Sequence, residues 1–214
     1  MVGRRYSLVD RVIAQFDAGV QTLYGRPRGT GRPSPANELP EPELDRQERR
    51  KAARLMRVNH CGEICAQALY QAQAITTRNP ALRQTLARAA AEENDHLAWC
   101  EERLMRLGSH TSYLNPLFYI GSLGIGALAG AAGDRWSLGF LAQTEEQVVQ
   151  HLSRHLQRLP RQDRPSRAIV EQMRLEEDGH ASSATAAGAA RIPRPVRQLM
   201  RLSARAMTGT TYWI

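Results

Sequence analysis

The sequence has 214 residues, of which 42% are hydrophobic and 6% aromatic, so it is long enough to bury a sizeable core. An excess of 29 Lys and Arg over 21 Asp and Glu gives a formal charge of +8, which comes nearly all from arginine because Lys51 is the only lysine. This charge fits attraction to anionic lipids or nucleic acid, and equally a solvated arginine-rich surface, so it decides nothing alone. The three cysteines form no CxxC pattern, which excludes a disulfide framework and favours a reducing cytosol.

Residues 1–43 are predicted to form an N-terminal helix and a linker. Apolar residues recur with a helical period over residues 6–24. Five prolines and three glycines then follow between residues 25 and 42, a composition that no regular element tolerates. A mixed polar stretch follows the first residues, so we expect no secretory signal.

Residues 44–190 are predicted to form the main body, with two pairs of long helices. The first pair covers residues 44–107 and is divided at Asn79-Pro80, and the second covers residues 136–190 and is divided between Pro160 and Pro165. Few β-branched runs occur, so we expect an all-α protein. Residues 191–214 form a short basic amphipathic arm with an aromatic end, suited to a membrane interface or to simple packing.

The segment between the two helix pairs, residues 113–133, has no charged side chain and five glycines. Its length is near that of a spanning helix. A span would put the two helix pairs on opposite sides of the bilayer, so we reject it. A helix lying in the membrane interface or an apolar wall of a substrate channel fits better, and a plain core helix is the alternative.

Two Glu-x-x-His tetrads, Glu93–His96 and Glu177–His180, carry the main functional signal. A lone glutamate precedes each of them, at Glu63 and Glu145. The lone glutamates are 82 residues apart and the tetrads 84, so the helix pair looks duplicated. Residues i and i+3 of a helix share a face, so each tetrad can present a carboxylate and an imidazole to one ion.

Four carboxylates and two imidazoles are the ligand set of a coupled iron pair in a ferritin-like four-helix bundle. The six predicted ligands are Glu63, Glu93, His96, Glu145, Glu177 and His180. These hard donors favour iron or manganese over zinc in a thiolate site. Cys61 and Cys65 share a helix face that points away from Glu63, so we interpret them as small core residues.

Acidic neighbours of the ligands are candidates for exclusion. Glu92, Glu146 and Glu176 each sit about 100° off the ligand stripe and are assigned to a helix flank. Glu92 could reach His96 at i+4, but the parallel with the second tetrad favours Glu93. Asp95 and Asp178 either hydrogen-bond ligands from outside or are surface carboxylates.

The motifs resemble those of the demethoxyubiquinone hydroxylase family of ubiquinone biosynthesis, over about residues 8–214. The matching motifs, in order, are Val58-Asn59-His60-Cys61-Gly62-Glu63, Glu93-Asn94-Asp95-His96, Glu145-Glu146 with His151, Glu177-Asp178-Gly179-His180 and the Thr-Thr-Tyr-Trp-Ile end. The proline-rich linker is similar to that of bacterial members. The family's ligands fall on the same six residues.

Two positions near the site remain open. Relatives often have a tyrosine after His151, where this chain has Leu152, so a role for that tyrosine in electron delivery does not carry over. His151 stays a candidate to support the ligands from outside. His60 either supports them or is a packed helix histidine.

The resemblance implies O2-dependent hydroxylation of the quinone ring of a demethoxyubiquinol at two iron ions. Glu63 and Glu145 are the candidate bridges, with each tetrad flanking one iron. The reductant is open; NADH is one candidate, although the chain has no dinucleotide fingerprint. The isoprenoid tail implies a peripheral place on the cytoplasmic face of the inner membrane, reached through residues 113–133 and the basic surface.

Other partners and functions are weighed against this expectation. Accessory proteins of ubiquinone biosynthesis and a second copy of the chain are candidate partners, and no nucleic-acid partner is expected. A di-iron tRNA hydroxylase would explain the basic surface but not the uncharged segment. A ferritin-like iron-storage or peroxide-scavenging protein needs neither feature.

Overall fold

The computed structural model describes residues 8–25, 29–77 and 79–214. These residues form helices and no strand, as expected of an all-α protein. The seven helices are α1 (Leu8–Tyr24), α2 (Arg46–Thr76), α3 (Pro80–Arg106), α4 (Asn115–Ala131), α5 (Asp134–Arg158), α6 (Arg164–Ala186) and α7 (Arg194–Thr211). The prediction of helix from residue 6 extends over two residues that lie outside the described ones.

Local sequence explains where the long helices begin and end. Asp45 and Glu48 form a capping box at the start of α2, with the Asp45 side chain accepting from the backbone N–H groups of residues 47 and 48. Asn79 caps α3 directly before Pro80, and Asp163, two residues before Pro165, caps α6 by accepting from the Ser166 backbone N–H. Gly108 ends α3 with a φ of 68°, a conformation that favours glycine.

Helices α2, α3, α5 and α6 form the bundle, and two clusters of buried apolar side chains occupy its two ends. The first cluster includes Leu55 of α2, Trp99 of α3 and Met173 of α6. The second includes Tyr70 of α2 and Leu86 of α3. On α2 the first cluster comes earlier in the sequence, and on α3 it comes later, so these two helices run antiparallel. The same comparison makes α5 antiparallel to α6.

Helix α4 is the crossover between the helix pairs. The chain leaves α3 at the end of the bundle with the first cluster and enters α5 at the end with the second, so it must return along the bundle. One such crossover is characteristic of ferritin-like bundles, and the predicted fold class is confirmed. Helix α4 packs on α2, where glycines allow close contact: a Cβ on Gly126 would lie 2.9 Å from the Leu69 carbonyl oxygen.

The uncharged segment is neither a spanning helix nor a plain core helix. Within the described ranges, no helix is long and apolar enough to cross a membrane. Helix α4 buries Tyr119, Gly126 and Gly130 against its neighbours. Its other face leaves large apolar side chains exposed, at Leu117, Ile120, Ile125 and Leu128. The helix is therefore apolar on both faces: one face packs on the bundle, and the other is exposed.

The proline-rich segment between α1 and α2 lies against the bundle. Residues 29–43 have no helix, as predicted, but Ala36 is buried within the first apolar cluster. Glu41 accepts two hydrogen bonds, of 2.8 and 2.7 Å, from the buried Arg103 of α3. The sequence of this proline-rich segment predicts an irregular backbone, but it does not predict that the segment packs on the bundle. The domain boundaries themselves stay a prediction.

Candidate metal centre

The six predicted ligands lie in the middle of the bundle, between the two apolar clusters. Helices α2 and α5 carry the lone glutamates, and α3 and α6 carry the tetrads. Along each of the four helices, the predicted ligands fall between the residues of the two clusters. Five of the six side chains are buried and the sixth, His180, is half-buried. The fold therefore places a polar layer in an otherwise apolar interior.

His96 turns its inner nitrogen towards three carboxylates. Its Nδ1 lies 3.0 Å from Glu93, 3.3 Å from Glu177 and 3.8 Å from Glu63. Ligand atoms of these four residues all lie within 4.8 Å of one another. The lone glutamate of one helix pair and glutamates of both tetrads are thus brought to one point.

His180 completes a symmetrical arrangement. Its Nδ1 lies 3.2 Å from Oε1 of Glu93 and 3.2 Å from Oε2 of Glu177. The other oxygen of each glutamate faces His96, because Glu93 uses Oε2 there and Glu177 uses Oε1. Each tetrad glutamate therefore directs one oxygen towards each imidazole.

The remaining predicted ligand, Glu145, is held by a hydrogen bond from a tyrosine. The buried Tyr70 hydroxyl donates a 2.8 Å hydrogen bond to Glu145 Oε1. The sequence interpretation missed Tyr70, although a signal existed: it follows Glu63 by seven residues, two helical turns, and so shares its face. The bond orients the carboxylate of α5 from the opposing helix α2.

Burial and mutual repulsion control the charges of the cluster. Burial raises the pKa of Glu63 and of Glu145 well above the usual carboxyl value, and the charges of Glu93 and Glu177 raise it further. Burial alone would lower the pKa of His180, but hydrogen bonds and charges of Glu177 and Glu93 raise it to about 12. Four buried carboxylates therefore need bound protons or cations to coexist.

The outer nitrogens of both imidazoles contact glutamates that were assigned to helix flanks. His96 Nε2 lies 2.7 Å from Glu176 Oε2, and His180 Nε2 lies 2.7 Å from Glu92 Oε2. Both glutamates lie off the ligand stripe, but their assignment to a helix flank did not foresee that a histidine of the other tetrad helix contacts each of them. Glu92 does not serve His96, the i+4 partner considered from the sequence. Glu146, the third acidic neighbour assigned to a helix flank, is exposed.

Asp95 fits neither alternative considered from the sequence, a hydrogen bond to a ligand or a surface carboxylate, whereas Asp178 fits the second. Asp95 is buried and accepts hydrogen bonds from Thr30 (2.5 Å) and Arg32 (2.9 Å) of the segment before α2. Asp178 is exposed, as a surface carboxylate would be. Their parallel positions in sequence differ by one residue in register, which places them on different helix faces.

The other histidines make contacts elsewhere. His60 is buried with Nδ1 3.5 Å from Asn115 of α4, as a packed helix histidine would be. The His151 ring lies 3.9 Å from that of His155, whose Nδ1 is 2.7 Å from Asn59 Oδ1. Burial lowers the pKa of His151 to about 4. A supporting role for His151 stays a prediction.

The thiols contribute no donor to the cluster. Cys61 and Cys100 are buried and Cys65 is half-buried, and all three are free. Their interpretation as core residues is confirmed for Cys61, which is fully buried on α2. Nitrogen and oxygen donors alone remain at the centre.

The residues present fit a pair of divalent cations. Oε1 of Glu93 is buried without a hydrogen-bond partner, although His180 Nδ1 is 3.2 Å away, so the protein leaves a ligand atom unsatisfied. Four carboxylates would balance the four positive charges of two ferrous ions, which makes the loaded centre neutral. Carboxylate oxygens and imidazole nitrogens are the donors that iron and manganese accept.

Comparison with known proteins agrees with this geometry. The model of the family described as ubiquinone biosynthesis protein COQ7 matches residues 50–211. A 3-demethoxyubiquinol 3-hydroxylase of Nitrosococcus oceani is 54% identical over 214 residues, the full length of both chains. Relatives of the same name from Ectopseudomonas mendocina (54% over 211 residues, 99% of this chain and 98% of that one) and Nitrosomonas eutropha (53% over 206 residues, 96% and 99%) are similar to it along almost their whole length. The resemblance is confirmed, and the chain belongs to the ubiquinone biosynthesis protein COQ7 family.

Proposed function

We propose that this protein hydroxylates the quinone ring of a demethoxyubiquinol, using O2 at a pair of iron ions. The observation that carries the proposal is the cluster of Glu63, Glu93, His96 and Glu177, which His180 joins through Glu93 and Glu177, in a chain of this family. The names of its full-length relatives supply the substrate. The alternative function, iron storage or peroxide scavenging, does not account for the hydroxylase names of these relatives.

The distances favour a revision of the predicted ligand roles. Glu93 and Glu177 each direct one oxygen towards His96 and the other towards His180, which is the arrangement required of bridging carboxylates. We therefore propose these two as bridges. Glu63, which lies 3.8 Å from His96, would serve one ion, and Glu145 the other. The sequence had assigned the bridging role to Glu63 and Glu145 instead.

The overall reaction replaces a ring C–H with C–OH and releases the second oxygen atom as water, with two electrons and two protons from a reductant. We propose NADH as that reductant. Bound ferrous ions would supply the electrons that activate O2, which a quinol ring does not do unaided.

The protein's own residues prepare the site for this chemistry. The apolar clusters on either side exclude bulk water, which strengthens electrostatic interactions within the layer. Tyr70 holds Glu145 by its hydroxyl, and Glu92 and Glu176 hold the imidazoles by their outer nitrogens, so that each Nδ1 faces the carboxylates.

We further propose that α4 contacts the membrane interface, from which an isoprenoid substrate must come. Its outer face exposes Leu117 and Leu128 at 64% and 75%. Helix α7 adds an amphipathic surface, with Leu199, Arg201 and Arg205 exposed. Apolar side chains beside arginines suit an anionic bilayer surface, in keeping with a peripheral protein of the cytoplasmic face of the inner membrane.

Iron analysis tests the centre. The full-length protein should bind two ferrous ions per chain under anaerobic conditions, and Glu177→Ala should lose at least one of them. The exposed Glu146→Ala is the matched control on α5. Zinc-only binding, or equal iron content in all three proteins, would contradict the proposal.

Quinone profiling tests the substrate. A strain that lacks the gene should accumulate a demethoxylated quinone, and the wild-type gene, but not Glu177→Ala, should restore the mature quinone. Accumulation of any other quinone, or an unchanged quinone profile, would contradict the substrate assignment.

Vesicle sedimentation tests the membrane surface. Leu117→Asp with Leu128→Asp should weaken binding to phosphatidylglycerol-containing vesicles by about tenfold or more, because each charge would have to enter the apolar boundary. Met105→Asp is the control, since Met105 is 65% exposed on α3. Unchanged binding in the α4 variant would exclude this face.

A further inference from the structure

The segment of residues 29–43, here called the strap, contacts α3 at two points and contacts α6 directly at the first of them. At one end Arg32 contacts both helices, and at the other Glu41 contacts Arg103, which also binds Asp163 at the start of α6. Ala36 is buried between them. The strap therefore joins the two tetrad helices from outside the bundle.

At the first contact point, the strap surrounds the buried Asp95 of α3. Gly29 comes so close that a Cβ there would lie 1.9 Å from Asp95 Oδ1, so only glycine fits. Thr30 donates a 2.5 Å hydrogen bond to Asp95 Oδ2, and Arg32 Nε donates to the same oxygen at 2.9 Å. Three nearby strap residues thus converge on one carboxylate of α3.

The Arg32 guanidinium contacts Asp95 through Nε only. The other two nitrogens of Arg32, Nη1 and Nη2, donate to the two oxygens of Glu176 at 2.5 and 3.1 Å. Its Cζ lies 5.3 Å from the centre of the Trp99 ring. A planar fork held on three sides has little freedom to turn, so Arg32 fixes the Glu176 carboxylate in turn.

Glu176 is the residue that contacts the outer nitrogen of His96. We propose that Arg32 is a positioning residue of the metal centre: through Glu176 it holds the His96 ring with Nδ1 directed at Glu63, Glu93 and Glu177. A hydrogen bond to one imidazole nitrogen sets the orientation and the tautomer presented by the other. Arg32 itself touches no predicted ligand.

The second imidazole differs in this respect. Glu92 contacts His180 in the way that Glu176 contacts His96, and it is 32% exposed. Among the side chains that the structure describes, which leave out residues 1–9, 11, 12, 15, 26–28 and 78, no arginine is paired with Glu92. The strap therefore acts on one side of the centre, and the effect of Arg32 belongs to one of two metal positions.

Metal titration of the apoprotein tests this inference, with Co2+ as the probe and calorimetry and the visible cobalt spectrum as readouts. Arg32→Ala should weaken one of two binding steps by about tenfold to hundredfold, the range typical of residues that orient a metal ligand. The cobalt bands of that step should change. The other step should stay within about twofold of wild type.

Glu41→Gln is the matched control. It removes an ion pair between the same strap and α3, yet Glu41 contacts no residue that touches an imidazole. It should lower the thermal unfolding temperature and leave both Co2+ affinities unchanged. Arg32→Lys keeps the charge without the fork, so it should fold and still weaken the same step, by less than the alanine variant.

A double-mutant cycle separates positioning from general stability. In a Glu176→Ala background, Arg32→Ala should have no further effect on the affected step, since Arg32 acts through Glu176. Unchanged affinities, equal loss at both steps, or additive losses in the double variant would each overturn the inference. The inference rests on the proposed metal pair. If the wild type binds no pair of ions, both the proposed function and the role of Arg32 are contradicted. If the wild type binds two ions and Arg32→Ala binds them equally well, only the role of Arg32 is contradicted.

Discussion

His96 Nε2 on α3 lies 2.7 Å from Glu176 Oε2 on α6, and the reverse contact joins His180 of α6 to Glu92 of α3. Each glutamate comes directly before the glutamate of its own tetrad. The two tetrad helices therefore support one another's imidazoles. A carboxylate behind a histidine orients the ring and raises its basicity as a ligand.

This exchange predicts that both outer glutamates matter for metal binding. Glu92→Ala and Glu176→Ala should each reduce Co2+ affinity by about tenfold to hundredfold, because the imidazole loses the partner of its outer nitrogen. Calorimetric titration measures the affinity. Glu146→Ala is the control, since this neighbour of Glu145 is exposed and bonds only to Gln143 among the described contacts. Equal affinities in all three variants would contradict the prediction.

A second prediction concerns the hydroxyl of Tyr70. Tyr70→Phe should lower the free energy of unfolding by about 1 kcal/mol, because the buried Glu145 carboxyl loses its donor without any loss of apolar volume. Urea unfolding measures the change. As a comparison, Tyr119→Phe removes a buried tyrosine's hydroxyl that donates to Gln71 at 2.5 Å and not to a predicted ligand.

The two tyrosine variants should therefore separate when metal is added. Both should be destabilised, but only Tyr70→Phe should also weaken Co2+ binding, by about tenfold. Equal Co2+ affinity in both variants would show that the Tyr70 hydroxyl serves stability alone.

The sequence predicted the six candidate ligands because their spacing follows from helix geometry within single helices. A glutamate and a histidine three residues apart must share a face, whatever the helix packs against. The breaks at Asn79-Pro80 and Pro165 likewise act locally, and both mark helix starts in the structure. Local rules were sufficient to place these residues on one face of each helix and to mark the helix starts.

The roles of Glu92 and Glu176 could not be predicted in that way. Their angular offset from the ligand stripe is real, but the histidine that each contacts stands on another helix. The strap shows the same limit, since proline and glycine exclude a helix and do not say what Arg32 will contact. Bridging roles also depend on how α3 and α6 face each other, which spacing along one chain does not reveal.

A pH prediction follows from the histidine pair on α5, in which His155 is buried and His151 is half-buried. Burial lowers the pKa of His155 to about 2 and that of His151 to about 4, in each case below the unfolded value near 6.5. Below pH 6.5 the unfolded chain takes up protons that the folded chain does not, so these residues stabilise the fold above that pH and lose the contribution as pH falls. The slope is about 1.4 kcal/mol per pH unit for each such proton.

The difference between wild type and His155→Gln isolates this effect from the carboxyl groups, which titrate in both proteins. The stability advantage of the wild type should shrink by roughly 2 kcal/mol between pH 6.5 and 5.0. Urea unfolding at several pH values measures it. A difference that is independent of pH would mean that His155 does not remain neutral in the fold.

The last prediction concerns the contact of α4 with α2. Gly126→Ala should destabilise the protein by about 1–3 kcal/mol, since its Cβ would lie 2.9 Å from the Leu69 carbonyl oxygen and 3.0 Å from the Leu69 Cα, atoms of a backbone that cannot turn away. Gly124→Ala is the control on the same helix: a Cβ there meets nothing within 4 Å, so the variant should gain about 0.5–1 kcal/mol from helix propensity. Thermal unfolding measures both. Equal stabilisation by the two substitutions would mean that α4 does not pack closely on α2. In that case the contact with α2 would not hold the exposed apolar face of α4 in place.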